Sequence, residues 1–272
     1  AAWCGPLLQD GDSRKSGMQI YHRREWDPQA GKRIGAEAVE KAAELLKASP
    51  ISGGKLPVVL DEYMAPRFLG MFFGAFSAES AQRGMSRLQG RLGETIAIPE
   101  LTLLDDPHRQ GANRSCFLDA EGFLTKPLPL IEEGVFRNFL YHVESANKEK
   151  KSSTGHAVRG YSGGISTRSH NLVWPTGELN LEQLCAQNSK CLLVTQLEGQ
   201  AGCNPVSGDI SIGVQGFLIE NGRRIQPVDS ITLAGNFFDV LLNIRGSGNT
   251  YQPELTHSFI PALLIEGLTV SG

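Results

Sequence analysis

The sequence predicts an α+β fold, mainly antiparallel or mixed β-sheet with flanking helices, on three observations. Ile210, Ile212 and Val214 alternate with Ser211 and Gly213, the period-two pattern of a strand with one buried face. That strand runs to Asn221-Gly222, a dipeptide that favours a tight hairpin because both residues tolerate positive φ. Ala38, Ala42, Leu45 and Leu46 form an apolar stripe at helical spacing, with Glu37, Glu40, Lys41, Glu44 and Lys47 left to solvent.

In chain order, residues 1–35 are polar and irregular, and the first helix is expected over Ala36 to Ser49, ended by Pro50 and Gly53-Gly54. Leu56 to Leu60 reads as a short strand, and Asp61 can cap a second helix running towards Gln82. From Thr95 to Tyr141 the pattern is β, with strands expected at Ile96 to Leu104, Cys116 to Leu118 and Phe123 to Leu130. Leu130-Ile131-Glu132-Glu133-Gly134 then echoes Leu218-Ile219-Glu220-Asn221-Gly222, so a second hairpin with a related turn is expected. A short helix follows at His142 to Lys151, and Ser152 to Ser169 reads as an extended loop. The remainder gives a strand at Asn171 to Trp174, a helix from about Asn180 to Gln187, and a strand at Cys191 to Leu197. A helix then begins after Gly235-Asn236, and the chain ends in a strand.

A net charge of −3, spread along 272 residues, gives no electrostatic reason to expect nucleic acid or an anionic membrane as partner. No apolar run approaches spanning length. Five scattered cysteines, an odd number, fit reduced thiols of a cytoplasmic protein better than a disulfide framework.

Several ordered motifs carry a family resemblance. Gly202-x-Asn204-x-Val206-Ser207-Gly208-Asp209, then Gly216 to Gly222, Ile231 to Asn236 and the ending Leu263 to Val270 resemble the C-terminal domain of the TldD/PmbA family. That family was once labelled modulators of DNA gyrase and is understood as peptidase machinery. The match runs from about Trp26 to Gly272, so residues 36–272 are expected to form the family's C-terminal domain. The resemblance implies a further domain ahead of it. On that expectation residues 1–35 are an irregular segment or the remnant of a connection, in a chain that opens on Ala1.

Catalytic members of the family carry His-Glu-x-x-x-His on a helix and a Cys near the C-terminus as zinc ligands. Counting back from Arg83-Gly84, Leu69 and Gly74 stand at the histidine positions and Gly70 at the glutamate, and Gly248 to Gly272 contains no Cys. The resemblance therefore implies a TldE/PmbA-like subunit without zinc, catalytic residues or cofactor of its own. Its partner would be a zinc-bearing TldD-like subunit or a second copy, and its substrates unfolded or short peptides. In that reading Gly202, Cys203, Asn204, Ser207, Gly208 and Asp209 face peptide or partner. From the residues alone, Gly70 and Gly74 would permit close backbone approach, by intrachain packing or by a subunit contact.

Two other chemistries compete. The six histidines lack paired metallopeptidase or zinc-finger spacing, leaving only an assembled site such as His156, His170 and Cys203. A metal-independent hydrolase could use the Cys203 to Asp209 loop if a distant histidine converged on it. Against this, Pro205-Val206-Ser207-Gly208-Asp209 is not a nucleophile elbow, and loop architecture explains its residues.

Overall fold

Sheet built on both faces organises the molecule, in a computed structural model that describes residues 1–199 and 201–272. We number the strands of its central sheet β1 (Gly54–Lys55), β2 (Val58–Leu60), β3 (Lys190–Glu198), β4 (Asp209–Glu220), β5 (Arg223–Asn236), β6 (Ile244–Ser247), β7 (Leu263–Ile265) and β8 (Thr269–Ser271). Their spatial order is β6-β7-β2-β3-β4-β5-β8-β1. All pairs are antiparallel except β2 with β3.

Alternate residues feed two cores, as the pleat requires. Val58, Leu60, Leu192, Val194 and Leu218 enter the larger core, while Val59, Cys191, Leu193, Phe217 and Ile219 enter the smaller one. Helix α1 (Ala30–Glu44), through the following Leu45, and α5 (Leu181–Cys185) cover the smaller core. The larger is covered by α2 (Met64–Gly70), α3 (Ala78–Gln82) and α6 (Phe237–Leu242) together with a second sheet. That sheet has five short strands in the order Ser258–Phe259, Leu172–Val173, Leu103–Asp105, Leu128–Glu132, Val135–Phe136. A further helix, α4, spans Val143–Lys148.

Both hairpin turns have the expected backbone: Asn221 and Gly222 at φ 49° and 75°, Glu133 and Gly134 at 49° and 78°. Ile210, Ile212 and Val214 are buried as the alternation predicts.

The structure corrects other expectations. Residues 1–35 are not irregular: Ala2–Cys4 pairs with Gln19–Tyr21, and Leu7–Asp10 with Ser13–Ser16. Helix α1 starts at Ala30 rather than Ala36, because Ile34 and Ala30 extend its buried stripe about two turns further. The helix expected from Asp61 to Gln82 is three pieces, α2, a 3₁₀ turn at Phe73–Phe76, and α3, whose N-cap Ser77 restarts the backbone bonding. The strand expected at Cys116 to Leu118 reduces to one bridge, Leu118 to Leu124; that expected at Phe123 to Leu130 forms only from Leu128, as Leu128–Glu132, and that expected at Ile96 to Leu104 only from Leu103, as Leu103–Asp105. Ser152 to Ser169 is no plain loop, since Ala157–Arg159 pairs with Ile165–Thr167.

Candidate functional site

The loop ahead of β4 is held by its own polar atoms. Asn204 exchanges backbone bonds with Asp209, as donor at 2.9 Å, and with Gly208, as acceptor at 2.8 Å. Asn204 Oδ1 accepts from the Val206 and Ser207 N–H groups. Ser207 Oγ donates to Asp209 Oδ2 at 2.5 Å, and that hydroxyl with the Asn236 amide holds the Asp209 carboxyl below the usual carboxylate range. Two glycines are obligatory. A Cβ at Gly202 would lie 2.1 Å from Ser211 O, and Gly208 sits at φ 81° with a Cβ position 2.8 Å from the Phe238 ring.

Asn236 ties the loop to α6. Its Nδ2 donates to Ser207 O and Asp209 Oδ1, while its Oδ1 caps the helix by accepting from Phe238 N–H. Arg87 completes the seat, donating to Ser207 O at 3.1 Å and lying 5.2 Å over the Phe238 ring. The helix start at Asn236 is legible in the sequence; Arg87 carries no local signal. Cys203 is half-buried against the larger core, and Asn204 and Asp209 are exposed. Among the described residues no histidine bonds Cys203 or Ser207; Ser207 meets only the Asp209 carboxylate, which its hydrogen bonds make a weaker base than usual.

Leu69 and the two glycines lie on α2 and just beyond it, connected to that seat by stacked rings. Phe72 stacks on Phe237 at 4.8 Å and 14°. Leu69 is fully buried, whereas Gly70 and Gly74 are exposed and a Cβ on either would touch nothing within 4 Å. Close intrachain packing therefore does not explain these glycines. Nor do the residues fit zinc, since an alkyl side chain and two hydrogens offer no lone pair.

At the N-terminus of α2, Asp61 Oδ1 accepts from the N–H groups of Tyr63 and Met64, and burial pushes its carboxyl up to about 6. It opens onto a cleft of about 600 Å³. There β2 covers β3 only as far as Val194, leaving Thr195, Gln196 and Leu197 along the cleft wall.

A second polar assembly was not foreseen. His156 and His170 do come together, with ring centroids 4.8 Å apart, but with Asp105 and Cys116 rather than Cys203. Asp105 Oδ2 accepts from His156 Nε2 at 2.9 Å and from the His170 N–H at 2.8 Å. His156 Nδ1 bonds the Thr154 hydroxyl. His170 Nε2 donates to Gly155 O, leaving Nδ1 to face the Cys116 thiol at 3.4 Å. Every ring nitrogen is taken, and burial, then Asp119, pushes the Cys116 thiol up, away from thiolate. Among the described residues, no group of three or more His, Cys, Asp or Glu is placed to hold a metal.

Comparison with known proteins agrees with this architecture. Residues 53–272 match the family model described as the PmbA/TldA metallopeptidase C-terminal domain. The chain is 32% identical to Metalloprotease PmbA of Escherichia coli O157:H7, over 92% of this chain and 53% of that protein. It is 34% identical to a PmbA homologue of Haemophilus influenzae, over 88% and 51%. It thus spans about half the length of these relatives. Among solved structures, a Thermotoga maritima protein described as a candidate modulator of a DNA gyrase superposes with TM-score 0.89 at 31% identity. The overlap covers 99% of this chain and 61% of that one. TldE from Thermococcus kodakarensis superposes with TM-score 0.84 at 25% identity, covering 99% and 62%. The chain belongs to the TldD/PmbA family, through its C-terminal domain.

Proposed function

We propose that this chain is the C-terminal domain of a metal-free, TldE/PmbA-like subunit that works beside a zinc-bearing TldD-like partner on unfolded or short peptides in the cytoplasm. The observation that carries the reading is the donor set at the family's zinc positions: Leu69 sealed in the core, with Gly70 and Gly74 lacking side chains. Such a subunit contributes surface rather than a ligand or a base. The Gly202 to Asp209 loop, rigid through its own bonds, is the surface it offers to peptide or partner. The open side of β3 along the cleft suits an extended peptide, because main-chain bonding is indifferent to side-chain sequence. Five free thiols accord with a reducing compartment, and no helix among the described residues is long and apolar enough to cross a membrane.

The test is peptide cleavage and zinc content of the full-length protein, alone and mixed with the TldD-like subunit. The expected result is substoichiometric zinc and cleavage only in the mixture. One tightly held zinc per chain, or cleavage by the isolated protein that Cys203→Ala or Ser207→Ala abolishes, overturns the reading.

A further inference from the structure

Strand β2 runs parallel to β3 through Val58–Leu60, and the last bond between them goes from Asp61 N–H to Val194 O at 3.5 Å. The chain then turns into α2, whereas β3 continues to Glu198, paired among the described residues on its β4 side alone. The lane that β2 vacates opens onto the cleft of about 600 Å³, with Thr195, Gln196 and Leu197 along the wall. Alternation along β2 puts Asp61 on the face of Val59, which is the face of the smaller core. On that face the cleft is lined by Leu45, Leu181, Leu193 and Phe217. The Asp61 carboxyl therefore stands at the head of the lane and beside an apolar wall, and it is partly exposed. Its Oδ1 serves the Tyr63 and Met64 N–H groups, and Oδ2 has no bond among the described residues. Of the cleft's cations, Lys41 Nζ donates to Gln19, Arg224 pairs with Glu44 while lying over the Phe217 ring, and Arg67 is exposed to solvent. Burial raises the Asp61 carboxyl, and the charge of neighbouring Glu62 adds to this. A carboxylate drawn partly out of water beside a second acid is stabilised by a cation from outside the chain.

We propose that this cleft captures the free N-terminus of a peptide, with the α-ammonium on Asp61, the first side chain against the apolar lining and the backbone along Thr195 to Leu197. The polarity follows from the lane. A peptide that continues it in the direction of β2 starts beside Asp61, whereas a reversed one brings its own carboxylate against an acid. The ammonium carries three donors for the oxygen that the α2 backbone leaves free. Added-strand bonding then holds the residues that follow without reading their side chains. The peptide as occupant rests on the function proposed above; the choice of its N-terminus rests on Asp61, the vacated lane and the apolar lining.

The experiment is fluorescence anisotropy with the full chain alone, which needs no partner, zinc or cleavage and so fails separately from the peptidase pairing. The probes are pentapeptide amides labelled at the C-terminal end: one with leucine first and a free N-terminus, its N-acetyl form, the N-acetyl form with one interior lysine, and the free form with glycine first. Acetylation should weaken binding about tenfold or more, since it removes a charge-assisted bond. Glycine in place of the leucine should weaken it by about tenfold through the lost apolar contact. Asp61→Asn keeps an acceptor for the Tyr63 and Met64 N–H groups, so it should bring the free peptide to the affinity of the acetylated one with no fall in melting temperature. Equal binding of free and acetylated peptides, no binding of either, or an Asp61→Asn variant that still prefers the free form overturns the site. Cleavage by the mixture with a TldD-like subunit would in each of those cases leave the function above standing. An acetylated lysine peptide that binds as tightly as the free form overturns the N-terminal source, and undiminished binding of the glycine-led peptide overturns the apolar contact.

Discussion

Two buried regions of this molecule hold opposite kinds of side chain. Around α2, Phe68, Leu69, Phe72 and Phe76 are dry and sealed, and ring packing on Phe237 continues the apolar contact. Around Asp105, the side chains are those expected of a metal or catalytic site: two histidines, an acid and a thiol. Yet the second region has no more capacity to hold a metal than the first, because its ring nitrogens are already bonded to protein. What a site can bind depends on lone pairs left free, and residue type alone does not report that.

The contrast can be broken first by deletion. Phe72→Ala should cost about 3–5 kcal/mol, since it empties a cavity against Phe237, and Phe72→Leu should recover most of it. Asp105→Ala should cost about 3 kcal/mol by stranding the donors of His156 and His170, with Asp105→Asn recovering part through its remaining acceptor. Urea unfolding measures both. If Asp105→Ala proved neutral, the polar region would not be a stabilising network.

Restoring the family's ligands tests the apolar side of the comparison. Leu69→His should cost about 2–3 kcal/mol, since it puts a polar ring in the sealed core. Gly70→Glu and Gly74→His should each stay within about 1 kcal/mol, because both positions are open. The triple variant is expected to bind zinc weakly, lacking a third protein ligand, and to cut no peptide. Calorimetric zinc titration and thermal melts check it.

Acid sharpens the comparison, because titrating groups stand at each region; burial lowers the His170 imidazole as well, in the same direction as His257. Asp61, at the head of α2, is raised to about 6, so its contribution to stability is present below about 3.8 and is lost as pH rises through 6. His257, beside the polar region, is lowered to about 4, so its contribution is present above about 6.5 and is lost as pH falls towards 4. Between pH 6.5 and 4 the two oppose each other. Asp61→Asn should therefore gain on the order of 1–2 kcal/mol at pH 8 and fall more steeply in acid, while His257→Gln should become more stable as pH drops. Melting temperatures across that range decide between them. Ser207→Ala gives the smallest effect, within about 0.5 kcal/mol, since its hydroxyl bonds only exposed loop partners.

Much of the sheet was legible because its signals are local. The alternation through Val214, both positive-φ turns, the Asp61 cap and the start of α6 after Asn236 each sit in a window of a few residues. The N-terminal ladders were hidden because Ser13–Ser16 is polar on both faces and pairs across a two-residue turn without an apolar pattern. The breaks after α2 were hidden because a run that is apolar all round has no period to interrupt. The Asp105–His156 bond joins residues 51 apart, and the Arg87 seat joins residues 120 apart. Nothing in either neighbourhood marks its partner.

The strand order also sets when the fold can form. Val58–Leu60 lies between Leu192–Val194 and Leu263–Ile265, and Gly54–Lys55 pairs with Thr269–Val270. Strands near one end of the described chain thus wait for strands near the other. Loop closure over some two hundred residues precedes the contacts that reward it, which places folding among the slow, high-contact-order cases. During synthesis β2 and β5 remain open edges until β7 and β8 leave the ribosome, and until then they are available to other chains. A cell making this protein therefore has to keep nascent chains apart until that late point of translation, and a ribosome stalled before Leu263 would release a product with an unfinished sheet.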